Sequence, residues 1–408
     1  MPVAGGEQDA SPPVDRDGMH SGIGGLALVL AEVRALRPWT DAERALADGI
    51  GERLRASLAS QDDCSFFDGL ASTIGSLVAL GADGVDDAVA RLLETATADG
   101  WPQSFVTPPR YLPDARVNDL TLGTAGVLAA ALWARRHQAS RATELADLAA
   151  DLLLAEAEEV PTGTSWRFVP ARFLTEPRAE MPNLSHGLAG IAAALAAAGP
   201  ELGRPELTVA AARGAEHLVT LGDTSDGGFF TTRCIPSDKD DDFVTYNWCH
   251  GPAGTSLLFA ALDRAGVPEV AGETPEQWRR RCLHSVRTSG IPQRLTPGFW
   301  DNDGRCCGTA GVADIFLDSW HRTGEEGDLE FALSLADTLL ERAVRDGPSV
   351  YWRFVEHRAA DPLLPPGVGW AQGAAGIVAF LLHTARVLGD DGAGPVPRMD
   401  SWWALARS

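Results

Sequence analysis

The stretch NLSHGLAGIAAAL, residues 183–195, joins a Gly-x-x-Gly pair to a run of small and apolar residues. Six other places in the chain repeat this combination, which we call a glycine step. The final glycines of successive steps lie 50 to 65 residues apart. Self-similar units at such a period predict one repeat architecture rather than several unrelated domains. The seven final glycines are Gly25, Gly75, Gly126, Gly190, Gly254, Gly311 and Gly376. In the second step, Ser72 stands where the first glycine is expected.

Two kinds of helix alternate along the chain. The run after each step, such as residues 126–136, is apolar and rich in alanine. The segments between the steps, such as residues 40–58 and 328–344, have apolar residues at three-and-four spacing with charges opposite. Because apolar helices are buried and amphipathic helices lie at the surface, we predict an all-α fold. The predicted architecture is an α/α toroid of about seven inner and seven outer helices.

The glycine steps open the inner helices, so the toroid should gather them at one end. Aromatic linkers before the later steps predict short strands or β-hairpins at that end, in residues 163–170, 226–233, 297–304 and 350–357. We predict a flexible tail over residues 1–18 and a single toroid domain over residues 19–408.

The net charge and the hydropathy of the chain bear on its binding partners and on its location in the cell. The chain has 56 acidic and 34 basic residues, a formal net charge of -22. This charge argues against nucleic acid or an anionic membrane surface as the main partner. No apolar run is long enough to span a bilayer, and the N-terminus lacks a secretory signal pattern. We therefore predict a cytoplasmic protein, in which six cysteines do not form a disulfide framework.

Three of the six cysteines share a position relative to a glycine step. Cys249, followed by His250, precedes the fifth step, and Cys306 and Cys307 precede the sixth. Neighbouring units of a toroid would bring these loops side by side, and zinc binds three or four nitrogen or sulfur ligands. From the residues alone, three readings stay open: a metal site, a Cys249–His250 nucleophile pair, or a Cys306–Cys307 redox pair. The other three, Cys64, Cys234 and Cys282, are interpreted as buried or incidental thiols.

The motifs SHGLAG (185–190), NWCHGPAG (247–254) and CCGTAG (306–311) together resemble the lanthionine synthetase C-like family, over about residues 20–390. The resemblance implies an α/α toroid with a catalytic zinc ion at its mouth. By motif, Cys249 and Cys306 match the first and second zinc ligands. Cys307 stands where the third is usually histidine, as in the branch of the family that uses three cysteines.

The resemblance also implies roles for residues around the metal. His186 matches the family's active-site histidine and Asp119 the aspartate of its motif. His250 stands where many members carry tyrosine, and Thr245 where the family often has arginine. Two simpler interpretations stay open: Asp119 as a helix cap and His186 as a hydrogen-bonded histidine of its turn. The remaining histidines considered are predicted to be structural or exposed: His137, His217, His321 and His383.

The activity implied by the resemblance is intramolecular Michael addition, in which a peptide cysteine attacks dehydroalanine or dehydrobutyrine to form a thioether. We predict a stand-alone zinc-dependent lanthipeptide cyclase with His186 and His250 as candidate acids. Its substrate would be a dehydrated precursor peptide. The first step begins near residue 20, so separate dehydratase or kinase and lyase enzymes are expected to prepare that substrate.

Three alternatives remain. A related zinc protein could add glutathione or another thiol to dehydroamino acids. A non-catalytic peptide-binding scaffold could hold a structural zinc ion, with His250 as fourth ligand. An α/α-barrel glycosidase would need paired carboxylates, for which the chain offers Asp301 and Asp303.

Overall fold

The computed structural model describes residues 16–103, 111–175, 180–236, 244–293, 302–355, 363–389 and 394–405. Most of the predicted tail, residues 1–15, lies outside these ranges, as do Asp301 and most of residues 297–304. None of the described helices is long and apolar enough to cross a membrane. The chain divides into two compact units. The first comprises Met1–Ser57, Ser76–Asp83 and Ile291–Val396, and the second Leu58–Gly75, Gly84–Gly290 and Pro397–Ser408.

Most of the described secondary structure is helical, as predicted. The α-helices are α1 (Gly24–Leu36), α2 (Asp41–Ser57), α3 (Leu70–Leu80), α4 (Val85–Thr95), α5 (Thr124–Arg136), α6 (Ala142–Ala155), α7 (Leu188–Leu202), α8 (Pro205–Leu221), α9 (Pro252–Arg264), α10 (Pro275–Thr288), α11 (Thr309–Thr323), α12 (Glu326–Arg342) and α13 (Ala374–Leu388).

The described residues also form three short antiparallel strand pairs. They are β1 (Glu158–Val160) with β2 (Gly163–Ser165), β3 (Val344–Asp346) with β4 (Ser349–Tyr351), and β5 (Phe354–Val355) with β6 (Leu363–Leu364). The hairpins predicted in residues 163–170 and 350–357 are therefore confirmed. In residues 226–233 the prediction is wrong, because this segment has only a 3₁₀ turn and one bridge, Asp223 to Phe230.

Within each unit the helices form two layers. In the second unit, α5, α7 and α9 pack on one another in order, and α6, α8 and α10 each pack on the helix before them. In the first unit, α13 packs on both α1 and α11, while α2 covers α1 and α12 covers α11. The step helices are nearly all buried, as in α7, whereas α2 buries only four residues. The described chain thus has seven step helices and six covering helices, one fewer than expected.

The glycines of the steps allow a close approach between a helix and its own entry turn. A Cβ added at Gly254 would lie 1.8 Å from the carbonyl oxygen of Trp248, six residues earlier. The first glycine of a step makes the same kind of contact, since a Cβ at Gly251 would lie 2.4 Å from the carbonyl oxygen of Thr245. Gly69 is such a first glycine, because a Cβ there would lie 2.3 Å from the carbonyl oxygen of Asp63. Helix α3 also begins at Leu70. The second step is therefore Gly69–Ser72, three residues before the sequence-based assignment that ended at Gly75.

Main-chain hydrogen bonds join consecutive steps in an arrangement that we call the step ladder. In the second unit, the amide of Phe66 donates to the carbonyl of Thr121, that of Thr121 to Ser185, and that of Ser185 to Cys249, at 2.9, 3.3 and 3.0 Å.

The first unit has the same arrangement. The amide of Cys306 donates to the carbonyl of Ala371 at 3.0 Å, and the amide of Ala371 donates to that of His20 at 3.1 Å. Side chains that follow these rungs are thereby held at a common level within each unit.

We expect Gly254→Ala to destabilise the protein, because the added methyl group must displace the carbonyl of Trp248. Overpacking of this kind costs about 1–3 kcal/mol. The matched control is Gly49→Ala in α2, where an added Cβ meets nothing within 4 Å. Alanine is the better helix former, so the control should hold or raise stability. Thermal unfolding of both variants measures the effect, and equal melting temperatures would show that the steps do not require glycine.

Candidate active site

Cys249 and His250 lie in the turn that leads into α9, and Asn247 organises this turn. The Asn247 side-chain oxygen accepts a hydrogen bond from the His250 amide at 3.0 Å, and the Cys249 Sγ lies 3.4 Å from the same oxygen. The Cys249 sulfur also lies 3.1 Å from Nδ1 of His250. Both side chains are buried, so the thiol and the imidazole contact each other away from bulk water.

His186 is held by a carboxylate. Its Nδ1 lies 2.7 Å from Oδ2 of Asp119, which is fully buried. The Thr121 hydroxyl donates to the same carboxylate oxygen at 2.9 Å and lies 3.0 Å from Nδ1. The Asn183 side chain accepts from the His186 amide at 2.8 Å, in the same way that Asn247 holds His250. The imidazole is therefore fixed in orientation, and its side chain keeps about a third of its surface exposed.

Asp119 has a local role as well. Its Oδ1 accepts a hydrogen bond from the Leu122 amide at 2.8 Å, which closes the turn before α5. The N-cap of α5 is Gly123, and no side chain caps that helix. Asp119 is thus a turn-forming residue whose second oxygen orients His186, and it is not a helix cap.

The two histidines and Cys249 form a contiguous series in the second unit. The rings of His186 and His250 lie 5.6 Å apart between centroids, tilted by 41°. Phe168 packs edge-on against His186 at 5.8 Å. The order of contacts is therefore Asp119, His186, His250, Cys249, with an aromatic wall beside the first imidazole.

Thr245 replaces the arginine that the resemblance leads one to expect. Its side chain is buried, and its hydroxyl donates to the Asn247 oxygen at 3.3 Å. At this position the chain carries a small group that supports the turn.

Cys306 and Cys307 lie in the turn before α11, in the first unit. Their sulfur atoms are 3.5 Å apart, neither cysteine forms a disulfide, and both are partly exposed. Asn302 braces this turn by donating to the carbonyl of Val355 at 2.9 Å and accepting from its amide at 2.7 Å. As a set of side chains, Cys249, Cys306 and Cys307 could hold a metal ion.

Of the three cysteines interpreted as buried or incidental thiols, Cys64 and Cys282 are buried and Cys234 is partly exposed. Burial raises the pKa of Cys64 well above its usual value, and the nearby carboxylates of Asp63 and Asp119 add to this effect. Burial likewise raises the pKa of Cys282. Neither thiol can ionise readily near neutral pH.

Sequence reasoning missed the asparagines that support the turns. Asn183 and Asn247 hold the amides of the two histidines, while Asn118 donates to Arg167 and Asn302 to Val355. The signal was present, since each of these four steps has an asparagine seven to nine residues before its final glycine.

The model of the lanthionine synthetase C-like protein family matches residues 13–387. No curated protein matches the chain at the level of sequence.

Among solved structures, "Nisin cyclase" is similar with a TM-score of 0.62 and 16% identity, covering 92% of this chain and 90% of its own. That match confirms the predicted fold class, an α/α toroid. The Lin0763 protein from Listeria innocua matches with a TM-score of 0.47 and 13% identity, over 90% and 84% of the two chains. Residues 13–387 comprise most of the sequence, and the protein therefore belongs to the lanthionine synthetase C-like family.

Proposed function

We propose that this protein is a zinc-dependent lanthipeptide cyclase that closes thioether rings in a dehydrated precursor peptide. The observation that carries the proposal is the contiguous series Asp119, His186, His250 and Cys249. The imidazole of His186, which the Asp119 carboxylate holds, thus belongs to the same cluster as the thiol of Cys249. Family membership and the fold shared with nisin cyclase support a lanthipeptide cyclase at the level of the family.

We infer that Cys249, Cys306 and Cys307 hold one zinc ion. Zinc prefers thiolate and imidazole ligands, and a catalytic site keeps one position open. The metal-capable set that contains Cys249 consists of three cysteines and no histidine. Such a donor set suits zinc and does not suit magnesium or calcium, which prefer oxygen ligands. Three protein ligands would leave a fourth position for the thiol of the substrate.

The reaction needs a nucleophilic sulfur and a proton donor. When bound, zinc supplies the substrate thiol in its deprotonated form near neutral pH. The peptide thiol gives up its proton, its sulfur forms a bond to the β-carbon of dehydroalanine or dehydrobutyrine, and the α-carbon takes up a proton.

His186 is the proposed donor of that proton. Asp119 and Thr121 engage Nδ1, so Nε2 is the nitrogen available to the substrate. The contact with the Asp119 carboxylate fixes the orientation of the ring, so that a proton on Nε2 can be delivered to the substrate. His250 stands between His186 and Cys249. We propose that it supports the sulfur of Cys249 and handles protons with His186.

His250 also bears on the alternative of a structural zinc site with four protein ligands. Cys249 and His250 are sequence neighbours, and Nδ1 of His250 is directed to the Cys249 sulfur at 3.1 Å. This contact supports a role for His250 beside the metal ligands rather than as the fourth of them.

We expect the purified protein to contain one zinc ion per chain and Cys249→Ala to lose it. The matched control is Cys282→Ala, because Cys282 is also buried but lies on α10 with its pKa raised by burial. Metal analysis of the three proteins measures the effect. A wild-type protein purified without zinc, and unable to take it up, would refute the proposed mechanism.

We expect His186→Asn to slow cyclisation by about 10²–10⁴-fold, the usual contribution of a general acid, while zinc content stays unchanged. The assay uses a peptide with one cysteine and one dehydroalanine, with ring closure followed by loss of the alkylatable thiol at constant mass. The control is His217→Asn, a buried histidine that contacts Thr162 at 2.7 Å. A rate for His186→Asn equal to that of the control would remove His186 from the mechanism. An adduct with added glutathione, and no ring, would replace the cyclase with a glutathione-adding enzyme.

We expect Cys307→His to keep zinc but to slow cyclisation. Three thiolates give the zinc site a net charge of minus one, whereas two thiolates and a neutral imidazole give zero. The more electron-rich metal should leave the substrate sulfur more nucleophilic. Rates at saturating peptide, compared at equal zinc content, measure the effect. An unchanged or faster rate would contradict the idea that the third cysteine favours reactivity.

A further inference from the structure

We propose that Arg305, Asp314 and His383 form a positioning network that fixes the segment carrying Cys306 and Cys307. All three residues are buried in the first unit. The inference rests on the proposed function, because it gives these cysteines a reason to be held in place. It assigns a role to residues that do not themselves touch the substrate.

Arg305 directly precedes Cys306, and its side chain points into the unit. Its guanidinium lies 2.7 Å from Oδ2 of Asp314 on α11 and 4.3 Å from the centre of the Trp370 ring. A Cβ added at Gly376 would lie 2.9 Å from the Cβ of Arg305. The arginine therefore occupies a tight space between α11 and α13, with a charged partner on one side and an aromatic ring on the other.

Asp314 is itself held in place from α13. Its Oδ1 lies 3.0 Å from Nδ1 of His383, and Nε2 of His383 lies 3.1 Å from Nε2 of His321. The two imidazole rings are stacked, with planes 1° apart. Burial, with help from His383 and Arg386, lowers the pKa of His321 to about 4. His321 is thus a neutral hydrogen-bonding partner at neutral pH, and the network includes the buried ion pair of Arg305 with Asp314.

Asp314 and His383 also belong, with Asp318, to a set that could hold a metal ion. The contacts of Arg305 argue for a different assignment. The guanidinium of Arg305 lies 2.7 Å from the Asp314 carboxylate. The two ring nitrogens of His383 contact Asp314 and His321. Asp314 therefore already has a cation of the protein itself, Arg305, as its partner.

The network and the step ladder restrain the same short segment from both sides. The side chain of Arg305 is fixed by Asp314, and the amide of the next residue, Cys306, donates to Ala371 at 3.0 Å. A Cβ added at Gly311 would lie 1.7 Å from the carbonyl oxygen of Arg305. Little freedom remains in the backbone that leads into Cys306. Such restraint is what a metal site requires, because its ligands must be held near their bonding geometry.

The test is the double variant Arg305→Met with Asp314→Asn, which removes both charges together. Removing one partner alone would leave an unpaired buried charge and could unfold the protein, whereas replacing both is better tolerated. The matched control is Arg398→Met with Asp400→Asn, which makes the same two changes in a buried ion pair of the second unit. Two measurements are made on the folded proteins. The first is amide hydrogen exchange of the Cys306 segment without metal, and the second is zinc affinity by competition with a chelator.

We expect the test variant to exchange the Cys306 amide about tenfold faster and to bind zinc about tenfold more weakly, in line with the effect of supporting residues at metal sites. The control should match the wild type in both measurements, even if its melting temperature falls. A folded test variant with the exchange rate of the wild type would overturn the proposal. If the wild type bound no zinc, the proposed function would fail, and the exchange measurement on metal-free protein would still decide whether the network fixes the segment.

Discussion

The step ladder is the interaction on which the rest of the structure depends. A helix that is apolar all round buries its side chains, but it leaves the amides of its entry turn to be satisfied elsewhere. In the second unit these amides are satisfied by the carbonyls of the neighbouring turn, from Phe66 through Thr121 and Ser185 to Cys249. The ladder can form only if each helix approaches its own entry turn closely. The glycine at the first helical turn permits this approach, as the contact of Gly254 with Trp248 shows.

The ladder also explains how a repeated scaffold holds a single set of chemical groups. Each rung presents two successive side chains at a fixed level, and only the identity of those residues varies. They are Thr121 and Leu122 in one step, Ser185 and His186 in the next, and Cys249 and His250 in the third. The contact of His186 with Asp119 and with the ring of His250 follows from this register. The steps therefore share one backbone arrangement, and they differ in the side chains at the residues that form the ladder.

Support for these positions comes from polar groups that are buried beside them. Asn183 and Asn247 hold the amides of His186 and His250, so the turns are fixed by side chains as well as by the ladder. In the first unit, the charge of Arg305 is buried against Asp314. A buried ion pair is weak evidence for stability, since hydrophobic residues often replace it without loss. Its position next to Cys306 is better explained by the placement of that cysteine.

The sequence by itself determined the repeat and the two kinds of helix, and it pointed to the residues that are proposed to carry the chemistry. It could do so because helical periodicity and glycine spacing are local properties, and because Cys249, His186 and Asp119 stand in distinctive motifs. It misplaced the second step, since Gly69–Ser72 lacks a final glycine; the close contact of Gly69 with Asp63 and the start of α3 at Leu70 reveal the register. Tertiary structure alone decided that Asp119 faces His186 across 67 residues and that Asp314 faces His383 across 69. Such pairings depend on which turns and helices are neighbours in space. A single sequence does not give the distance between residues that are far apart along the chain.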